Sequence, residues 1–430
     1  MAQVFKFGGA SVKDADGFRN VVDIIQKRND SKIVVVVSAS GKMTNALEKV
    51  VHAFFNEEAN PKEKLQQVVK HHQTICAELF DKDHEVHASL NDKLVEIDWV
   101  LEEDNDQPFD YIYDQIVSVG EFLSSLILSA LLKKSNIENT WLDIRDIMRT
   151  DETWREAKVM WEETVPRMQN LLPLLLEKGL IVTQGFVGST SENQSTTLGR
   201  EGSDYTGAII SYAIDAECMM IWKDVPGVLT ADPNLFDNPT KLDRLSYREA
   251  IEMTYYGAKV IHPKTIQPIQ RKRIPLLVKS FINPEGKGTT ITDAQEFEAY
   301  PPVIVIKENQ TLISFSTRDF SFIAEDHLMK IFALFAEHRL SVNMMQNTAV
   351  SFSVCVDDNS KRINYLIEDL QDEFEISKKE NLEVITIRHY TKEAVEKLKG
   401  NKLVLLEGRV NKTIQMAVQQ SNTPDRKLKA

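Results

Sequence analysis

Ile33-Val34-Val35-Val36-Val37 is an unbroken run of β-branched residues. Successive side chains of a strand point to opposite faces, so such a run has no polar side to turn to water and must be covered on both. Its length and branching favour a strand over a buried helix. Comparable apolar runs occur at 4–7, 179–183, 218–222 and 275–278, with helical stretches between them. This alternation predicts an α/β fold, a mostly parallel sheet sandwiched by helices, from residue 1 to about 297. Long helical patterns within 45–135, including 121–132, are expected to cover one side of the sheet and the substrate cleft. Residues 283–288 read as a loop and Tyr300-Pro301-Pro302 as a linker, which places a domain boundary there.

After the linker the units shorten. Residues 311–316 read as a strand, 326–337 as a helix, 341–346 and 350–356 as strands and 361–374 as a helix, an order that suits a small α+β sandwich. Strand-like segments at 382–387, 403–406 and 413–419 are expected to complete a second unit. A chain of 430 residues has room for two or three domains.

Two segments suit anions. Leu198-Gly199-Arg200-Glu201-Gly202-Ser203-Asp204-Tyr205-Thr206 precedes the apolar run Ala208-Ile209-Ile210, where a helix is expected to begin. A glycine-flanked helix start offers unpaired backbone N–H groups and the positive end of the dipole, and Arg200 adds a planar fork for a carboxylate. The alternative is an ordinary Asp or Ser cap after a turn. The second segment is Gly8-Gly9-Ala10-Ser11 after the strand at 4–7, where Lys6 can reach a transferring phosphoryl group. A plain turn, with Lys6 snorkelling from a strand end, is the competing reading. Neither a Walker A loop nor a Gly-x-Gly-x-x-Gly fingerprint is present, which counts against P-loop and Rossmann folds.

The net charge of −13, from 51 basic and 64 acidic residues spread along the chain, argues against a nucleic-acid surface. Cys76, Cys218 and Cys355 lack metal-ligand spacing and read as small core residues in a reducing cytoplasm. His71-His72 are adjacent and read as a solvated helix face, not a metal pair. No resident metal site is expected. The N-terminus enters a strand without a signal-peptide pattern, and no apolar run is expected to match a membrane span.

Several segments, in order, resemble aspartate kinase of the amino-acid kinase family. They are Lys6-Phe7-Gly8-Gly9-Ala10-Ser11, Ser38-Ala39-Ser40-Gly41-Lys42-Met43-Thr44-Asn45, Val119-Gly120-Glu121 and Thr183-Gln184-Gly185-Phe186-Val187-Gly188. After them come Thr197-Leu198-Gly199-Arg200-Glu201-Gly202-Ser203-Asp204, Trp222-Lys223-Asp224-Val225-Pro226-Gly227 and Gly257-Ala258-Lys259-Val260-Ile261-His262-Pro263. The last 120 or so residues are similar to the family's ACT domains. The resemblance implies a catalytic domain at 1–297 and a tandem ACT-like region at 303–430, with units at about 310–376 and 377–430.

It further implies a monofunctional, cytoplasmic, ATP-dependent enzyme that phosphorylates the side-chain carboxylate of L-aspartate, with Mg²⁺ accompanying ATP, and that forms a homodimer through its ACT units. Other amino-acid kinases, of glutamate or acetylglutamate type, and a non-catalytic amino-acid or nucleotide sensor are the alternatives. Catalysis falls to Lys6 and Asp204, Asp204 orienting the reacting groups or holding Mg²⁺ through water; a helix N-cap is its structural alternative. Arg200 takes the substrate α-carboxylate and Glu121 its ammonium, with Ser38, Thr44 and Ser203 adding hydroxyls. ATP falls to Lys6, Gly8, Gly9, Ala10, Trp222, Lys223, Asp224, Leu229, Asn234, Lys259 and Val260.

The chain departs from the family pattern in places. Ala10 stands where Thr or Ser is usual, and Lys223, Leu229 and Asn234 stand where members often carry Thr, Tyr and Arg. Asn343 replaces the aspartate of the effector strand, and 317–328 lacks a glycine. Weak inhibition by lysine or threonine is the expectation.

Overall fold

The computed structural model describes residues 2–28, 32–56, 60–102, 106–258, 261–293, 300–319 and 321–419, and the backbone of Leu428–Lys429. The chain divides into two compact units: Met1–Val228, Leu242–Ile251 and Ile261–Glu296 form the first, and Leu229–Lys241, Glu252–Val260 and Phe297–Ala430 the second.

The first unit is built on an eight-stranded sheet in the order Asn139–Leu142, Leu180–Gln184, Lys32–Val37, Ala2–Phe7, Cys218–Lys223, Leu276–Ser280, Thr289–Thr292, Arg244–Ser246. Every neighbouring pair is parallel except Leu276–Ser280 with Thr289–Thr292. Residues 33–37 are buried on both faces, as their β-branching requires. From Ala2–Phe7 the chain goes first to the neighbour on one side and later to Cys218–Lys223 on the other. The first strand therefore stands at a topological switch point, where α/β sheets open a crevice beyond the carboxyl ends of their strands.

The helices Phe109–Val117 and Val119–Lys134 follow one another and together make a 26-residue stretch apolar enough to match a bilayer. The sequence expectation missed this length. The stretch is apolar all round because it is a core element, with 83% of its most apolar window inside the protein. His72 also departs from expectation. It is buried in the helix Pro61–Leu79, where burial pushes its imidazole down to about 4 while Nδ1 stays 2.8 Å from the Val68 carbonyl. All three cysteines are buried and free.

The second unit is one six-stranded antiparallel sheet in the order Val342–Asn347, Ser351–Asp357, Val303–Thr317, Phe374–Arg388, Thr413–Gln419, Leu403–Val410. Two of these strands, Val303–Thr317 and Phe374–Arg388, each run 15 residues and serve two α+β repeats at once. One repeat carries the helices Glu325–Glu337 and Ser360–Leu370; the other carries Lys392–Lys399. The helix expected over 361–374 ends at Leu370, and Phe374 opens the next strand with its ring packed edge-on against Phe315.

Two stretches expected within the catalytic region group with this second sheet. Ile304 N–H donates to the Thr230 carbonyl at 2.7 Å, and Ala231 and Phe236 join a core with Ile385, Ile387, Ile414 and Met416. Arg388 pairs with Glu252 at 3.0 Å. These contacts are non-local, which is why no linker composition announced them.

Candidate active site

Phe5 and Phe7 point to one face of the first strand, where both pack against Trp222 with ring centroids 6.0 and 5.7 Å away. Lys6 therefore points to the other face. The helix Gly202–Ala213 lies on that face, with Gly207 set against Lys6 Cβ. Lys6 Nζ reaches Asp204 Oδ1 at 2.6 Å, and the two side chains are only 11% and 4% exposed. The helix begins at Gly202, earlier than the apolar run suggested, so Asp204 belongs to its first turn and is not an N-cap. Burial pushes the Asp204 carboxyl up, but the charges of Lys6 and Lys223 and the Lys6 hydrogen bond outweigh it and hold the group below its ordinary value. An ionised carboxylate thus persists in a buried site.

Glu121 sits in the first turn of Val119–Lys134 and is 3% exposed. Burial pushes its carboxyl up to about 8, against hydrogen bonds from the Ala39 and Glu121 backbones and the charge of Lys6. Its Oε2 has no hydrogen-bond partner among the described residues. A buried acidic acceptor left open suits a ligand that brings its own N–H donors and positive charge.

The Gly8-Gly9 loop follows Lys6 and crosses the backbone of 39–41. Gly41 N–H donates to the Gly9 carbonyl at 3.0 Å, and a Cβ on Gly9 would stand 2.7 Å from the Ala39 oxygen, so only glycine admits this crossing of backbones. Ser38 continues from the second strand, its N–H donating to the Phe7 carbonyl at 3.1 Å. Thr44 is half-buried near the start of Met43–Phe55, and Ser203 is buried in the first turn of the helix that carries Asp204.

Lys6, Asp204 and Glu121 thus gather at the carboxyl ends of the central strands, and the Ser38-Ala39 loop meets them through the Ala39 backbone. The charge of Lys223 also acts there, and strand register puts its side chain on the face of Lys6, because Lys6 pairs with Ile221. Arg200 is exposed on the turn leading to the helix. Ala10 and Asp224 are exposed as well. Trp222 is 1% exposed, so its ring is a core group and leaves only backbone to offer a ligand. Leu229 and Asn234 lie in the second unit, where Asn234 N–H closes a turn on Asp232 Oδ1 at 2.8 Å. Lys259 and Val260 lie outside the described residues. Among the described residues, no three His, Cys, Asp or Glu side chains gather as a metal site.

Sequence reasoning missed Asp114, a fully buried carboxyl on Phe109–Val117. Burial pushes it up to about 7, opposed by hydrogen bonds from Thr197 and Arg155. Its one signal in the sequence is a carboxylate interrupting an apolar helical stretch.

Comparison with known proteins bears on this arrangement. The sequence profile of the Amino acid kinase family matches residues 1–280. "Lysine-sensitive aspartokinase 3" of Escherichia coli is 31% identical over 360 residues, covering 82% of this chain and 78% of that protein. "Aspartokinase 1, chloroplastic" of Arabidopsis thaliana is 31% identical over 419 residues, covering 95% and 70%. The crystal structure of E. coli aspartokinase III in complex with aspartate and ADP superposes with a TM-score of 0.81 at 27% identity, over 97% of this chain and 96% of that one. The profile spans the unit that carries Lys6, Glu121 and Asp204, and the E. coli and Arabidopsis similarities run on into the second unit: the chain belongs to the amino acid kinase family, among its aspartokinases.

Proposed function

We propose that this chain transfers the γ-phosphoryl group of MgATP to the side-chain carboxylate of L-aspartate, giving 4-phospho-L-aspartate for lysine, threonine and methionine synthesis in the cytoplasm. The observation that carries the reading is the buried Lys6–Asp204 pair beside the open carboxyl of Glu121. The acceptor carboxylate is already ionised at neutral pH, so the protein has to position it and neutralise developing phosphoryl charge. Lys6 supplies that charge. Arg200 takes the α-carboxylate in a bidentate pair and Glu121 the ammonium, while Ser38, Thr44 and Ser203 give hydroxyl contacts. Gly8, Gly9 and Ala10 present backbone to the phosphates, with Lys223 and Asp224 at the nucleotide edge.

Asp204, kept ionised, is the residue that would hold Mg²⁺ through water, and the ion accompanying ATP would supply neutralisation of phosphate charge. ADP formation by the purified protein decides the matter. Release that depends on L-aspartate supports the reading; release driven instead by glutamate or acetylglutamate, or none with any amino acid, would overturn it.

The Glu121 assignment has a pH signature. With its carboxyl at about 8 rather than 4.5, Glu121 is mostly protonated at pH 7 in the free protein. A substrate ammonium stabilises the carboxylate, so binding expels the proton, and aspartate affinity rises with pH until about 8 and then levels. Calorimetry at pH 7 in buffers of different ionisation enthalpy should show close to one proton released. Heats independent of buffer would contradict the assignment, and Glu121→Gln should abolish the release.

The second unit is assigned a regulatory and dimerising role. The edge strand Val342–Asn347 and the neighbouring exposed Phe322, Met329, Phe332 and Met345 suit pairing with a second copy. Asn343, at the effector-strand position, is already engaged: its Oδ1 accepts from Lys307 Nζ at 2.6 Å, and its Nδ2 donates to Gln310 Oε1 at 2.7 Å and Asp357 Oδ1 at 2.9 Å. An internal ammonium occupies the acceptor that an effector ammonium would need. Lysine and threonine are therefore expected to inhibit weakly or not at all, as measured by activity and calorimetry with each amino acid; tight, strongly inhibitory lysine binding would refute this.

A further inference from the structure

A carboxylate buried as completely as Asp114 is costly unless its oxygens are satisfied. They are. Oδ2 accepts the Arg155 N–H at 3.0 Å and the Thr197 N–H at 2.9 Å, and Oδ1 accepts the Thr197 hydroxyl at 2.6 Å. The donors come from two segments far apart in sequence, the end of the short strand Ser195–Thr197 and the loop before Trp161–Leu176. Thr197 leads directly into Leu198-Gly199-Arg200.

The two segments are also bonded to each other, Ala157 N–H donating to the Thr197 carbonyl at 2.9 Å. Both turn through left-handed backbone, Arg155 at φ 67° and Gly199 at φ 74°. A non-glycine residue in that region costs on the order of 1 kcal/mol and persists where its surroundings hold it. The Arg155 carbonyl lies 3.2 Å from where a Cβ on residue 199 would be, so the two turns are in van der Waals contact.

The same helix holds Arg155 twice more. Its guanidinium lies 4.4 Å from the centre of the Tyr113 ring, and Nη1 donates to Asp110 Oδ1 at 3.2 Å. Ser118 N–H then donates to the Asp114 carbonyl at 3.3 Å, carrying the chain into the helix that presents Glu121. One buried side chain therefore ties the turn that bears Arg200 to the element that bears Glu121.

We propose that Asp114 is a positioning residue that fixes the Arg200 turn relative to Glu121, and so sets the spacing at which the two ends of the amino-acid substrate are held. This rests on the reading of Arg200 and Glu121 as the α-carboxylate and ammonium subsites. It assigns Asp114 no contact with substrate.

Three variants test it. Asp114→Ala removes every acceptor and is expected to raise the aspartate KM roughly tenfold or more while the ATP KM stays within about twofold, given a usual worth of about 1 kcal/mol for each of the three hydrogen bonds lost. Asp114→Asn keeps a carbonyl oxygen for the two N–H donors and turns an N–H toward the Thr197 hydroxyl, which can accept, so it should return the aspartate KM to within about threefold of wild type. Equal rises in both KM values, or a folded Asp114→Ala with an unchanged aspartate KM, would overturn the proposal. Should Asp114→Ala fail to fold, Thr197→Val removes one bond at nearly constant shape and is expected to raise the aspartate KM alone by roughly threefold; no change would count against the proposal. A failure of the functional reading shows itself separately, as wild-type protein with no aspartate-dependent ADP formation. Hydrogen exchange still reads the clamp in that case: exchange at 154–157 and 197–200 should quicken in Asp114→Ala, and unchanged exchange would overturn the positioning role.

Discussion

Lys6→Met is expected to lower kcat by roughly 10²–10³ in protein that still binds MgATP, the usual loss on removing one preorganised electrostatic contact to a transition state. Methionine keeps much of the apolar stem under helix Gly202–Ala213 but withdraws the ammonium from the phosphoryl position. The geometry adds a second consequence. Lys6 and Asp204 form a buried pair, so the single variant leaves an uncompensated carboxylate, and breaking such a pair destabilises by about 3–5 kcal/mol. Asp204 would then take up a proton far more readily. Combining Lys6→Met with Asp204→Asn removes the orphan charge and should recover most of the lost Tm without recovering turnover. Thermal melts with single-turnover kinetics on the two proteins separate the effects. Near-normal kcat in folded Lys6→Met would remove Lys6 from the chemistry.

Arg200→Ala is expected to raise the aspartate KM by roughly 10- to 100-fold with the ATP KM nearly unchanged, from the loss of about 1.5–3 kcal/mol of charge-assisted hydrogen bonding. The residue is exposed, so little folding stability depends on it and Tm should hold. Arg200→Lys should recover little, because an ammonium cannot reproduce the bidentate fork. Steady-state kinetics with each substrate varied in turn checks this, and an effect confined to ATP would reassign the residue.

The α/β core was legible because its strands are continuous apolar runs, and a residue set such as 33–37 has no other stable home. Lys6 was legible for a related reason, as the one cation among the apolar residues of 4–7. What stayed hidden was non-local or weakly patterned. Lys392–Lys399 buries only Val395 and Leu398 behind its Thr391 cap, too little periodicity to stand out. The first half of Phe374–Arg388 is mostly polar and exposed, so only its second half read as a strand. Asp114 went unread because its donors lie 41 and 83 positions away. Leu229–Lys241 reads locally as part of the catalytic stretch, and its grouping with the second sheet follows from partners beyond residue 300.

The sharing of Val303–Thr317 and Phe374–Arg388 between two repeats limits how this region can be dismantled or inherited. Residues 303–307 lie beside 384–388, and 310–317 beside 374–382, with the ladder stepping out of register between Lys307 and Leu312. A cut at that step strips an edge strand from one repeat and leaves the other with a frayed end. Neither repeat can then be transplanted as a module, and the pair must be gained, lost or swapped between enzymes as a single cassette.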